Sequence, residues 1–60
     1  MDFLVWVGKC VKIDLTNSYY YQGVVTNADI NSITLRDKRG NLIVLKDGAI
    51  LSIREVSNGS

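Results

Sequence analysis

The stretch GKCVKIDLTNSYYYQGVVTNADINSITLRD, residues 8–37, decides the fold. Its first run alternates with period two. Val11, Ile13 and Leu15 point one way, and Lys12, Asp14 and Thr16 the other. That is the signature of a half-buried strand. Asn17-Ser18 is a compact turn signal, because Asn tolerates left-handed dihedrals. Tyr19 to Ala28 is a long run rich in aromatic and β-branched residues, which suit a pleated surface. Gly23 interrupts that run, and a glycine inside a strand marks a bulge or a sharp bend. Asp29-Ile30-Asn31 is a turn, and Ser32 to Asp37 is a third strand with Ile33 and Leu35 inward.

Beyond this stretch the chain continues as strand and turn. Lys38-Arg39-Gly40-Asn41 is a hairpin loop, with Gly40 supplying positive φ. Leu42-Ile43-Val44-Leu45 has no polar alternation, so both of its faces call for cover. Lys46-Asp47-Gly48 turns the chain. Ala49 to Val56 is the fifth strand, with Ile50 and Ile53 in the core. The fold expected is all-β: a small, five-stranded, strongly bent antiparallel barrel. At the other end Phe3-Leu4-Val5-Trp6-Val7 is ambiguous. Val5, Trp6 and Val7 favour an extended form, whereas Asp2 could cap a helical turn.

Size and composition narrow the classes. Sixty residues make one domain, expected over residues 1–56, with 57–60 as a fraying polar tail. A domain this small is marginal alone and usually needs a disulfide, a metal or oligomerisation. Cys10 is the single cysteine and histidine is absent, so an intrachain disulfide is excluded and a zinc site is not expected. Oligomerisation remains, and an apolar content of 47% can supply an interface. Leu42, Ile43, Val44 and Leu45, with Leu51, carry that expectation, because a dry strand at a sheet edge is an aggregation hazard unless paired. The net charge of +1 does not suit coating a nucleic acid by bulk charge. Asp2 and the short apolar run fit neither a signal peptide nor a membrane span. A lone free cysteine fits a reducing cytoplasm. No constellation of residues supports catalysis, and the dispersed aspartates have no metal-site spacing.

The order and spacing of these segments resemble the two-part signature of Sm-like proteins, the family that includes Sm, LSm and Hfq. The resemblance covers about residues 8–54, with Gly23 at the bend glycine and Asp29 at the aspartate that opens an RNA-binding loop. It implies an SH3-like barrel with a short N-terminal helical turn, and no enzymatic activity. It also implies a homo-oligomeric ring, a hexamer or heptamer, that binds single-stranded RNA without a cofactor. In such a ring the fourth strand pairs with the fifth of the neighbour.

The resemblance places RNA contacts at Asp29, Asn31 and Lys46 on the pore-side loops. On the opposite face it places them at Tyr19 and Gln22. Two departures stand out. Asn31 occupies a position where the family usually has a ring that stacks on a base. Asp47 stands beside the basic Lys46 where Sm proteins carry glycine and Hfq histidine. Tyr20 reads as ordinary strand packing, and Lys38 and Arg39 as a solvated turn. Two other readings fit the same pattern: a structural or protein-interaction module without RNA, and a monomeric SH3-like nucleic-acid-binding domain.

Overall fold

The computed structural model describes residues 3–56. The suggested cap Asp2 and the tail 57–60 lie outside them. A 3-10 turn at Phe3–Trp6 leads into β1 (Cys10–Leu15), β2 (Tyr20–Ala28), β3 (Ser32–Arg36) and β4 (Leu42–Lys46). A second 3-10 turn, Asp47–Ala49, then feeds β5 (Ile50–Glu55). The strands form one antiparallel sheet in the order β4-β3-β2-β1-β5. The sheet is open, since β4 and β5 do not pair with each other and form its two edges.

The sheet is nevertheless strongly curled, and chain length is the reason. Laid flat, the outer strands of a five-stranded sheet sit about 19 Å apart. The four steps from Lys46 at the end of β4 to Ile50 at the start of β5 span at most about 14 Å. The two edges must therefore approach at this corner. Two hydrogen bonds hold it: Asp47 N–H donates to the Asn31 carbonyl at 2.8 Å, and Thr16 N–H to the Ala49 carbonyl at 3.0 Å. Register shifts supply local bends, one in β2 between Val25 and Asn27, the other opposite Asp14 and Leu15, where β5 carries Leu51 as an extra residue.

At Gly23 the β2 backbone lies close against the end of β3. A Cβ there would fall onto the Arg36 carbonyl oxygen and within 2.9 Å of its carbon. The absence of a side chain lets the two backbones approach. Gly40 does take positive φ, at +86°. In the β1–β2 turn the left-handed residue is Ser18, with φ +75°, and not Asn17. Asn17 instead accepts the Tyr19 N–H on its side-chain oxygen at 3.1 Å, which fixes the turn from outside.

The concave side of the sheet holds the core. Val11, Ile13 and Leu15 of β1 face Val25, Ile33, Leu35 and Leu45, in the parity that the alternation predicts. Ile50 and Ile53 pack against this cluster while staying partly exposed. Phe3 is buried in it as well, at 1% exposure. The N-terminal turn is clipped to β2 by Gly8 N–H donating to the Val25 carbonyl and Val25 N–H to that of Lys9. Burying an aromatic ring of this size stabilises by roughly 1.5–3 kcal/mol, enough to hold a single helical turn.

The fourth strand divides its side chains. Leu45 is buried and Ile43 half-buried, both toward the chain's own core, whereas Leu42 and Val44 are 61% and 63% exposed. Ile43 and Leu45 can thus serve a partner only through their main chain. Leu51, on the other edge, is 70% exposed. Among the described residues no helix is long and apolar enough to cross a membrane.

Candidate nucleic-acid interface

The Asp29–Asn31 loop is built around one carboxylate oxygen. Asp29 Oδ1 accepts Asn31 N–H at 2.7 Å, Ser32 N–H at 2.8 Å and the Ser32 hydroxyl at 3.2 Å. These donors favour the charged form. The Asn31 N–H first, then the Ser32 N–H, hold the Asp29 carboxyl below the usual carboxylate range, and the Lys46 charge adds to them. The loop is thus an ionised, preset turn with Ile30 exposed at its tip, at 67%.

The second loop joins it through the sheet. Lys46 is the Cα partner of Ser32 across β3–β4. The next residue, Asp47, donates its N–H to the Asn31 carbonyl. Asp29, Asn31 and Lys46, expected from the sequence to act together, therefore meet at one corner of the sheet. Each is exposed. Asp47 is part of the same corner and is exposed too.

The opposite set is only partly assembled. Gln22 lies on the convex side of β2, opposite Lys12. It lines a hollow of about 330 Å³ with Tyr20, Asp37, Lys38 and Arg39. A hollow of about 370 Å³ adjoins it, sharing Gln22, Asp37 and Lys38 and adding Cys10, Val24 and Arg36. Tyr19 is 70% exposed but lines neither hollow.

The aromatic residue of this face is Tyr20, and it does more than the ordinary packing expected of it. It is 59% exposed, and the Lys12 ammonium stands 4.4 Å from its ring centroid, a cation–π contact. Strand parity is the signal in the sequence, since positions 20 and 22 of one strand share a face.

The charge is also unevenly placed. Lys12, Arg36 and Arg54 alternate with core residues of β1, β3 and β5. Lys38 and Arg39 sit on the hairpin that borders the same side. Lys46 follows the buried Leu45 of β4 in the same parity, so the convex side gathers six of the chain's seven cations. Its two acids are already engaged. Asp14 accepts the Ser52 hydroxyl at 3.0 Å. Asp37 Oδ1 accepts Arg39 N–H and Asn41 N–H, each at 2.9 Å. The Asn41 N–H is the main reason the Asp37 carboxyl is held low. The hairpin cations therefore belong to a basic face, not merely to a solvated turn.

Cys10 is half-buried in the larger hollow. Lys9 pairs with Glu55 at 3.6 Å on the surface, which contributes little. Among the described residues no group of three histidine, cysteine or acidic side chains is placed to hold a metal ion. No protein-family model matches the chain, and no curated protein matches it.

Proposed function

We propose that this chain is an Sm-like subunit that assembles into a ring of six or seven copies and binds single-stranded RNA. The observation that carries the RNA reading is the Asp47–Asn31 main-chain hydrogen bond. It ties the two loops into one corner, at which Lys46, Asn31 and the preset Asp29 turn are each exposed. Such a corner offers a cation for a phosphate and an amide for a base edge. Repetition around a ring multiplies a modest contact.

The ring reading is supported by the two free sheet edges. Leu42 and Val44 on one, and Leu51 on the other, leave apolar surface uncovered. An edge of this kind invites pairing, and one antiparallel edge can pair with the other on the next copy. The convex face, with Gln22, Tyr20 and its cations, would supply the second RNA surface. Tyr19 stays outside it. A monomeric SH3-like domain would leave both edges open. A protein-interaction module without RNA is the rival with a specific observation behind it. Asp47 sits beside the only cation of the corner among the described residues, and Phe3, which shares a hollow with Asp47, is buried and offers no open face for stacking.

Titration with labelled oligouridine at two salt concentrations tests the proposal. Lys46→Ala should weaken binding and flatten its salt dependence, by about 0.7 in the logarithmic slope for each phosphate that is no longer neutralised. Asp47→Gly should strengthen it. An intact ring without affinity for RNA at low salt would favour the protein-interaction module.

A further inference from the structure

The two adjoining hollows of the convex face share Gln22, Asp37 and Lys38, so they form one groove. Tyr20 and Arg39 line one end of it, and Arg36 beside Val24 lines the other. At about 330 and 370 Å³, each hollow is at the small end of the usual range for ligand sites. Arg36, Lys38 and Arg39 are exposed. Among the described residues the one ion pair is Lys9 with Glu55, so no carboxylate holds any of these three cations. Asp37 borders the groove too, but it is tied to its own hairpin. Its Oδ1 accepts Arg39 N–H and Asn41 N–H, and its Oδ2 accepts the Asn41 amide at 3.5 Å. The cations outnumber its charge three to one.

A groove of this charge fits an anion, and its two ends narrow the kind. Tyr20 is 59% exposed and offers a ring on which a base can stack. Arginine and lysine at the other end suit a phosphate. Beyond them the charge stops. Arg36 is the Cα partner of Val24, and the next outward row, Asn27, Thr34 and Val44, holds no charged residue. A phosphodiester chain crossing that row finds no cation for its next phosphate. A terminal phosphomonoester suits the groove better, because it carries about −1.5 to −2 charges near pH 7, whereas a diester carries one.

We propose that this groove binds a nucleotide by its terminal phosphate, with Arg36 and Lys38 on the phosphomonoester and Tyr20 under the base. The inference rests on the reading of the convex face as an RNA surface and names the group that surface takes. The same chemistry is presented by the phosphorylated end of an RNA and by a free mononucleotide.

The test is a low-salt titration of the full chain with five probes: adenosine 5′-monophosphate, adenosine, inorganic phosphate, and triadenylate with and without a 5′-phosphate. The monophosphate should bind about tenfold tighter than adenosine, within the range of one hydrogen bond to a charged group. It should also bind tighter than inorganic phosphate, which has no base. A similar preference for the phosphorylated triadenylate would identify an RNA end as the source. Binding of the monophosphate without either triadenylate would identify the free nucleotide. Arg36→Gln with Lys38→Gln alters two exposed side chains, so the fold should survive, which a melting curve checks. That variant should bind the monophosphate and adenosine within about twofold of each other. Tyr20→Ala should weaken the monophosphate and leave inorganic phosphate unchanged. Lys9→Gln removes a cation outside the groove and should leave the preference as it is. Equal binding of the monophosphate and adenosine by the wild type, together with equal binding of the two triadenylates, would overturn the inference while leaving RNA binding in place. A preference that persists in the double variant, or that Lys9→Gln abolishes equally, would also overturn it. No binding of any probe would overturn both the inference and the reading of the convex face beneath it.

Discussion

At Gly23 a single missing atom decides whether two strands can approach. A Cβ there meets the Arg36 carbonyl, which is backbone and cannot swing aside. Gly23→Ala should therefore cost about 1–3 kcal/mol, the usual range for forcing extra volume into a packed site. Gly48→Ala is the matched control, since a Cβ there has no heavy atom within 4 Å and its φ is not positive. It should stay within about 0.5 kcal/mol of wild type. Denaturant titration of both variants checks this, and equal midpoints would mean that β2 relaxes freely at Gly23.

Asp29 and Asp37 are expected to set the acid limit of the fold. Both carboxyls are held below the ordinary aspartate value of 3.8 by backbone N–H donors, from Asn31 and Asn41 foremost. A depressed folded-state pKa contributes stability that is present above the unfolded value. It is lost as pH falls through the folded one. The melting temperature should thus drop below about pH 4. The double variant Asp29→Asn, Asp37→Asn should decline less over the same interval. Parallel curves for the two proteins between pH 5 and pH 2 would show that these loops do not set the limit.

At the scale of elements, the sequence discloses what alternation can disclose. Val11, Ile13 and Leu15 are legible because polar residues separate them, and Gly23 because it breaks an aromatic and β-branched run. Phe3 is not legible. In Phe3-Leu4-Val5-Trp6-Val7 every residue is apolar, so the pattern cannot say which is buried. The 3-10 turn decides it, since positions three apart share a side. Phe3 is buried and Trp6 half-buried, while Leu4 and Val5 are exposed. Tyr20 is hidden among three consecutive tyrosines, which look like one aromatic group although parity separates Tyr20 from Tyr21. In Leu42–Leu45 uniform apolarity again hides the division, and it also bears on any test of the edge. A charge at Ile43 or Leu45 would damage the core first. Val44→Glu leaves the core intact and places the charge on the exposed side of β4. If β4 pairs with a neighbouring copy, Val44→Glu should reduce the assembled mass while the far-ultraviolet spectrum stays unchanged. An unchanged mass would locate the contact elsewhere.

Taken whole, the molecule holds two pairs of features in tension. Its sheet is curled enough to bring β4 and β5 together at the Lys46–Ile50 corner, yet each strand keeps a free edge with exposed leucine or valine. Its net charge is only +1, yet six of its seven cations share the convex side. That segregation is invisible in the composition, because it depends on which residues the register sends outward. The corner itself is legible in the sequence. Asp29 and Lys46 stand at the ends of strands that any antiparallel pairing of β3 with β4 brings together. The hydrogen bond that fixes Asn31 to Asp47 is not, because main-chain contacts between loops leave no trace in residue type. A monomer and a ring would bury this sheet differently, and every proposed RNA contact depends on repetition around an axis. The most direct measurement is therefore the native mass of the protein at micromolar concentration, taken with and without one equivalent of oligouridine per assembly. The expected result is a single species of six or seven times the 6.7 kDa chain mass, gaining the mass of one oligonucleotide when RNA is present. A species of 6.7 kDa under both conditions would contradict it.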